Sequence, residues 1–456
     1  MPALLTQIFH CFIALGVMLL AGTFLRALIP AFQKLFLPAS VIGGFIGLIL
    51  GPSVLGLLPI PRDWIAIWAA LPGLLIIPVV SSAPLGMKFA EKGSAGRTSV
   101  NALKIFCAMF VVGSIQGLSG LSSLGLFRRI RPDLNLYPTF GYELNMGFAG
   151  GHGSSAVLGS FLRDLGLPYW EIAQGITVTT ATFGLVGGMI SGIFIINIMV
   201  RLGRTALLKK PGDIPKDKAK GVEMDLSKQT ASGVETTYGS TIDSIGFHLS
   251  IIFLGCGIAY MLNNYVRANN VPVITQVPIW AYAIVVMFGL NFLIQKLGLG
   301  NLVDSKTKSK ITGTFSDFAI TAAIASMPLQ TIMTYIAPIM FMMTLGFVFT
   351  FIGIYLFVNF FFHDYRVERI VALWGTSTGV FLTGLMLLKI CDANYETPVL
   401  KDYSIGFSLT TTTGFIMLPL IINTMINQGI MATVLLQLGL GAAAIIFALI
   451  LRGKKA

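Results

Sequence analysis

A chain of 456 residues with 55% hydrophobic and only 11% charged residues, and a mean hydropathy of +0.82, cannot cover an apolar interior with a polar skin, so a water-soluble globule is excluded and lipid is the solvent. Each spanning helix takes roughly 20 apolar residues plus a short connection, which leaves room for about ten to twelve membrane segments and excludes a single-span receptor. The net charge of +12 is carried in short loops between apolar runs, where Lys and Arg report topology and not a nucleic-acid partner.

In chain order, apolar runs long enough to span fall near 8–29, 39–58, 65–87, 102–126 and 172–200, then near 245–266, 278–297, 313–333, 336–362, 402–426 and 430–451. The first lacks a basic segment before it and is too long for a signal peptide, so it is expected to stay as a span. Between the halves, 201–243 is a polar linker rich in lysine. Its Arg201, Arg204 and lysines read as cytoplasmic, which places the N-terminus outside after five preceding spans and the Arg452, Lys454, Lys455 tail inside. Most other basic loops agree, the one holding Arg366 and Arg369 among them, but Arg128, Arg129 and Arg131 fall on the outer side. The expected plan is a first half over 1–200 with a hairpin at 142–163, the linker, an inverted half over 244–428 with a hairpin at 370–390, and an extra span with a basic tail over 429–456. The four cysteines have no metal-ligand spacing and read as buried thiols.

Two segments are apolar yet too glycine-rich for simple spans. One surrounds Gly150-Gly151-His152-Gly153-Ser154-Ser155, the other Gly375-Thr376-Ser377-Thr378-Gly379. Glycine costs a continuous helix roughly 1 kcal/mol per residue relative to alanine. Irregular backbone at membrane depth is tolerated only where it is buried in protein or lines a cavity, so both read as broken or re-entrant hairpins on a substrate path. They occupy matching places: Glu143 lies seven residues before Gly150, and Glu368 seven before Gly375. Each is followed by a threonine cluster, Thr179-Thr180-Ala181-Thr182 or Thr410 to Thr413, that opens an apolar run reaching Asn197 or Asn423. Five spans per half, an odd number, force the second half to enter with opposite orientation. Paired interrupted segments of this kind point to a midplane site in secondary transporters.

Over Gly150-Gly151-His152-Gly153, and over Ala181-Thr182-Phe183-Gly184-Leu185 after an acidic helix start at Glu171, the sequence resembles the bacterial sodium/glutamate symporters. The resemblance implies an all-α polytopic fold of two inverted five-helix halves in the inner membrane, a hairpin entering from each face, a homodimer, and alternating access by movement of the hairpin-bearing part. It also implies sodium as the coupling ion and glutamate or a similar anionic amino acid as substrate, with no other cofactor. The second hairpin departs from the family pattern, which keeps other small carboxylates, dicarboxylic or 2-hydroxy acids, open as substrates.

Gly150, Gly151 and Gly153 are candidates to present bare helix N–H groups to a carboxylate, against close helix contact through small residues. Ser154, Ser155, Gly375, Thr376, Ser377 and Thr378 are candidates to add donors opposite them, although such hydroxyls often bond their own helix. His152 either bonds substrate or orients the loop. Thr179, Thr182, Thr410 and Thr413 are candidate Na⁺ ligands through hydroxyl and freed carbonyl oxygens, or helix-contact residues. Asp317 reads as an N-cap, and Arg163 as a surface residue. Gly375 to Gly379 also matches the G-x-S-x-G form of a serine hydrolase, but no histidine carries an accompanying motif, so an enzyme is disfavoured.

Overall fold

Hydrophobic runs become helices throughout the computed structural model, which describes residues 2–34, 37–86, 98–206, 222, 225–229, 231–269, 279–392 and 397–452; among them no strand occurs. Before the linker come α1 (Pro2–Leu28), α2 (Pro30–Lys34), α3 (Ala39–Leu50), α4 (Arg62–Ser81), α5 (Thr98–Ile130), α6 (Tyr142–Asp164) and α7 (Trp170–Arg201). After it come α8 (Ser244–Ala268), α9 (Ile279–Lys296), α10 (Ser305–Ala325), α11 (Leu329–Thr334) and α12 (Ile336–Phe361). The chain ends with α13 (Arg366–Thr378), α14 (Phe381–Cys391), α15 (Val399–Asn427) and α16 (Gly429–Arg452). Among the described residues nine helices are long and apolar enough to cross a membrane: α1, α4, α5, α7, α8, α9, α12, α15 and α16. The chain is a multi-pass membrane protein.

Two expected spans take another form. The 39–58 run is helical only as far as Leu50; at 12 residues α3 is about 18 Å long against a hydrocarbon core of roughly 30 Å. The 313–333 run is two helices, because Ala325 ends α10 and Pro328 precedes α11. Helix α10 also starts earlier, at Ser305, where hydropathy gives no signal because Lys306, Lys308 and Lys310 crowd its first turns. Its N-cap is Asp304, which accepts from Thr307 N at 2.7 Å and Thr307 Oγ1 at 2.8 Å. Those bonds favour the ionised form and hold the Asp304 carboxyl below its ordinary range. Asp317 is therefore inside a helix and is not the cap.

Helices α1, α3, α4, α8, α9 and α10 form one group, in which α1 crosses α3 at contact distance of backbone. A Cβ on Gly22 would meet Ala39 O, and one on Gly43 would meet Met18 O. Gly47 behaves as a helix-contact glycine, its Cβ position 2.7 Å from Met18 Sδ and 3.0 Å from Ala325 Cβ. The second group, α5, α6, α7 and α12 to α16, carries the hairpins. The four cysteines are buried and unpaired, as expected.

Both glycine-rich segments fold back on themselves. In α6 the backbone turns at Gly151 (φ 61°, ψ −158°), and Ser154 Oγ donates to Met146 O, eight residues earlier. In a straight helix those residues would be about 12 Å apart. The second hairpin is α13 and α14, whose tip is Gly379-Val380. Gly375 lies below that tip, pressed against the other arm, where its Cβ would stand 2.7 Å from Gly384 Cα. The equivalence of Gly150 with Gly375 is thus out of register by about one helical turn, and Gly375 is an arm-contact glycine.

Candidate functional site

The two hairpins meet at their tips. A Cβ on Gly151 would run into Val380 Cγ1 and stand 3.2 Å from Gly379 O, so Gly151 faces the opposite hairpin and not an open surface. Helix α5 anchors both: Asn145 Nδ2 donates to Gly113 O at 2.7 Å, and Gln116 Nε2 donates to Ser377 O at 2.6 Å and Thr350 Oγ1 at 3.1 Å. Helix α7 also touches both. Gly184 and Gly188 let Thr378 approach, since a Cβ at either would collide with its carbonyl or hydroxyl oxygen. Trp374 Nε1 donates to Gly188 O at 3.0 Å. The 181–185 motif is thereby a contact surface for the second hairpin.

A carboxylate sits buried at the base of each hairpin. Glu143 accepts from Tyr137 OH at 2.7 Å and Gly141 N at 2.6 Å, while Glu368 accepts from Ala206 N at 2.8 Å. Next to Glu368, the fully buried Arg369 pairs Nη1 with Asp402 Oδ2 of α15 at 2.9 Å and lies 4.5 Å over the Phe362 ring. Hydropathy had placed Arg369 in a basic loop; the fold buries it. Arg163 is likewise half-buried, reaching Ala70 O on α4 at 3.3 Å and stacking on Trp170.

Between α6, α13, α5, α15 and α16, beside the touching tips, lies a cavity of about 160 Å³, room for on the order of five waters. Of the sequence candidates, Gly150, Ser154, Thr376, Ser377 and Thr410 line it. The others do not. His152 is turned to α7, its Nε2 2.9 Å from Thr182 Oγ1; since Thr182 donates to Val178 O, the network assigns the His152 proton to Nε2. Ser155 Oγ bonds His152 O, and Thr378 Oγ1 bonds Trp374 O. Thr179, Thr182, Thr410 and Thr413 all donate to carbonyls one turn back in their own helices. Because α7 and α15 run unbroken past these residues, the expected freed carbonyls are not there.

The lining carries no charged side chain. It does carry Thr411 of the 410–413 cluster and three polar groups outside the candidate set, Ser114, Asn145 and Gln437. Among the described residues the side chains of Ser114, Ser377, Thr411 and Gln437 make no hydrogen bond, and they face the cavity. A lone amide or hydroxyl within an apolar span was the available signal. Among the described residues no histidine hydrogen-bonds Ser377; His152 is held by Thr182, and His248 by Ser244 O and Asp304 N.

The family whose sequence model matches this chain is described as sodium/glutamate symporter, and the match covers residues 5–373. No curated protein matches the sequence.

Proposed function

With well over half of its length matched, over residues 5–373, the protein belongs to the sodium/glutamate symporter family of secondary transporters, and from that premise we propose that glutamate binds in the cavity where the hairpin tips meet α5, α15 and α16. The carrying observation is one cavity lined by both hairpins and ringed by uncharged donors without partners. Such groups hold an anion without a buried cation to desolvate. Small size suits an amino acid. For sodium, a hard cation that prefers oxygen, the same lining favours Thr410 and Thr411 over Thr179, Thr182 and Thr413, which stand off the cavity.

Helix neighbours support an inverted repeat. Helix α3 contacts α10 as α9 contacts α4, α1 contacts α3 as α8 contacts α9, and α5 contacts α6 as α12 contacts α13. We infer alternating access by motion of the hairpin-bearing group against the α1, α3, α4, α8, α9 and α10 group, with Arg163 at the seam. Labelled glutamate uptake into proteoliposomes under an inward sodium gradient is expected to collapse when choline replaces sodium. Undiminished uptake driven by protons alone overturns sodium coupling; preference for a dicarboxylate or 2-hydroxycarboxylate overturns the substrate.

Orientation follows the basic loops, with the first residues outside and the linker cytoplasmic. The dissenting loop is locally neutralised in part: Arg131 is paired with Asp133 at 2.8 Å and holds that exposed carboxyl below its usual range. Arg128 Nη2 is bound to Leu136 O at 3.0 Å. Thr6→Cys should label from outside intact cells and Lys218→Cys, which lies outside the described residues, only after permeabilisation. External labelling at 218 reverses the assignment.

A further inference from the structure

Helix α16 lies beyond residue 373, where the family match ends, and outside the two halves of five spans. It nevertheless supplies a wall of the cavity through Gln437 and Leu440. Its buried stripe, Thr433, Gln437, Gly441, Ala444 and Ala448, faces α5. Two glycines bring the helices together there: a Cβ on Gly117 would stand 2.8 Å from Gln437 Nε2, and one on Gly441 would stand 3.3 Å from Ser114 Cβ.

We propose that Gln437 is a substrate-binding residue, its carboxamide donating Nε2–H to a carboxylate of the bound amino acid. This rests on the reading of the cavity as the glutamate site. Gln437 is 3% exposed, makes no hydrogen bond among the described residues, and opens onto the cavity. An amide so placed is unfavourable until a ligand or water satisfies it. Structural amides in this region behave differently: Gln116 bonds Thr350 and Ser377, and Asn145 bonds Gly113. No cationic side chain lines the cavity, so recognition of an anion falls to neutral donors, and a carboxamide offers two N–H groups from one position.

Gln437→Glu keeps the shape but turns both donors into a carboxylate, and Gln437→Leu removes the polar group. In proteoliposomes each is expected to raise the KM for glutamate about tenfold or more with kcat little changed, the loss of one hydrogen bond to a charged group. Purified Gln437→Glu is expected to lose the thermal protection that glutamate gives the wild type. In Gln437→Cys, alkylation by N-ethylmaleimide is expected to slow under saturating glutamate, which keeps the question decidable should the Leu variant fail to fold. Wild-type KM in the Glu and Leu variants, or alkylation indifferent to glutamate, overturns the contact while wild-type transport stands. Absence of glutamate transport by the wild type overturns the functional reading and the contact with it.

Discussion

Arg369→Met is expected to destabilise the protein by about 3–5 kcal/mol, because it leaves the buried carboxylate of Asp402 without its partner. Arg369 is 0% and Asp402 2% exposed, and the pair is the side-chain link between the base of the second hairpin and α15. Its cation also rests over Phe362, so the lost ring contact adds to the lost charge. The cause can be separated from a loss of volume. In Arg369→Met with Asp402→Leu neither member of the pair remains, and replacing a whole buried pair by apolar residues is often neutral or stabilising. Thermal unfolding followed by size-exclusion in detergent is therefore expected to show a large loss in the single variant and recovery in the double. A single variant with the wild-type midpoint would remove the pair from any structural role.

Gly151→Ala is expected to abolish most transport for two independent reasons. At φ 61° and ψ −158° the backbone lies in a region essentially reserved for glycine, where another residue costs on the order of 1–3 kcal/mol. Its new Cβ would also collide with Val380 Cγ1, forcing the two hairpin tips apart. Val380→Ala in the same protein relieves the collision but not the backbone strain, so partial recovery of uptake is expected. Full recovery would assign the whole defect to the collision, and wild-type uptake in Gly151→Ala at normal expression would show that tip contact is irrelevant to transport.

The sequence by itself determined that this is a helical membrane protein, where most of its spans fall, and that two segments must depart from straight helix. Those conclusions rest on local properties: apolar length against bilayer thickness, and glycine density against helix stability. The Gly150 to Gly153 and Ala181 to Leu185 motifs carried the family resemblance for the same reason, being short and contiguous. Helix limits were poorly legible where hydropathy and helicity part company, as at Lys306 to Lys310, which are helical without being apolar. Register in the second hairpin was misread because counting from Glu368 finds a glycine, whereas the turn falls where Gly379-Val380 meets Gly151, a contact between residues 228 positions apart in the chain. Only the tertiary structure decided which polar side chains are satisfied. Thr179, Thr182 and Thr413 look like ion ligands in the sequence but bond their own helices off the cavity, while Arg369 looks like a loop charge and is buried on Asp402. Gln437 and Ser114, each an inconspicuous polar residue in an apolar run, come to face one cavity because Gly117 and Gly441 let two helices distant in sequence approach, and no periodicity within either helix contains that fact.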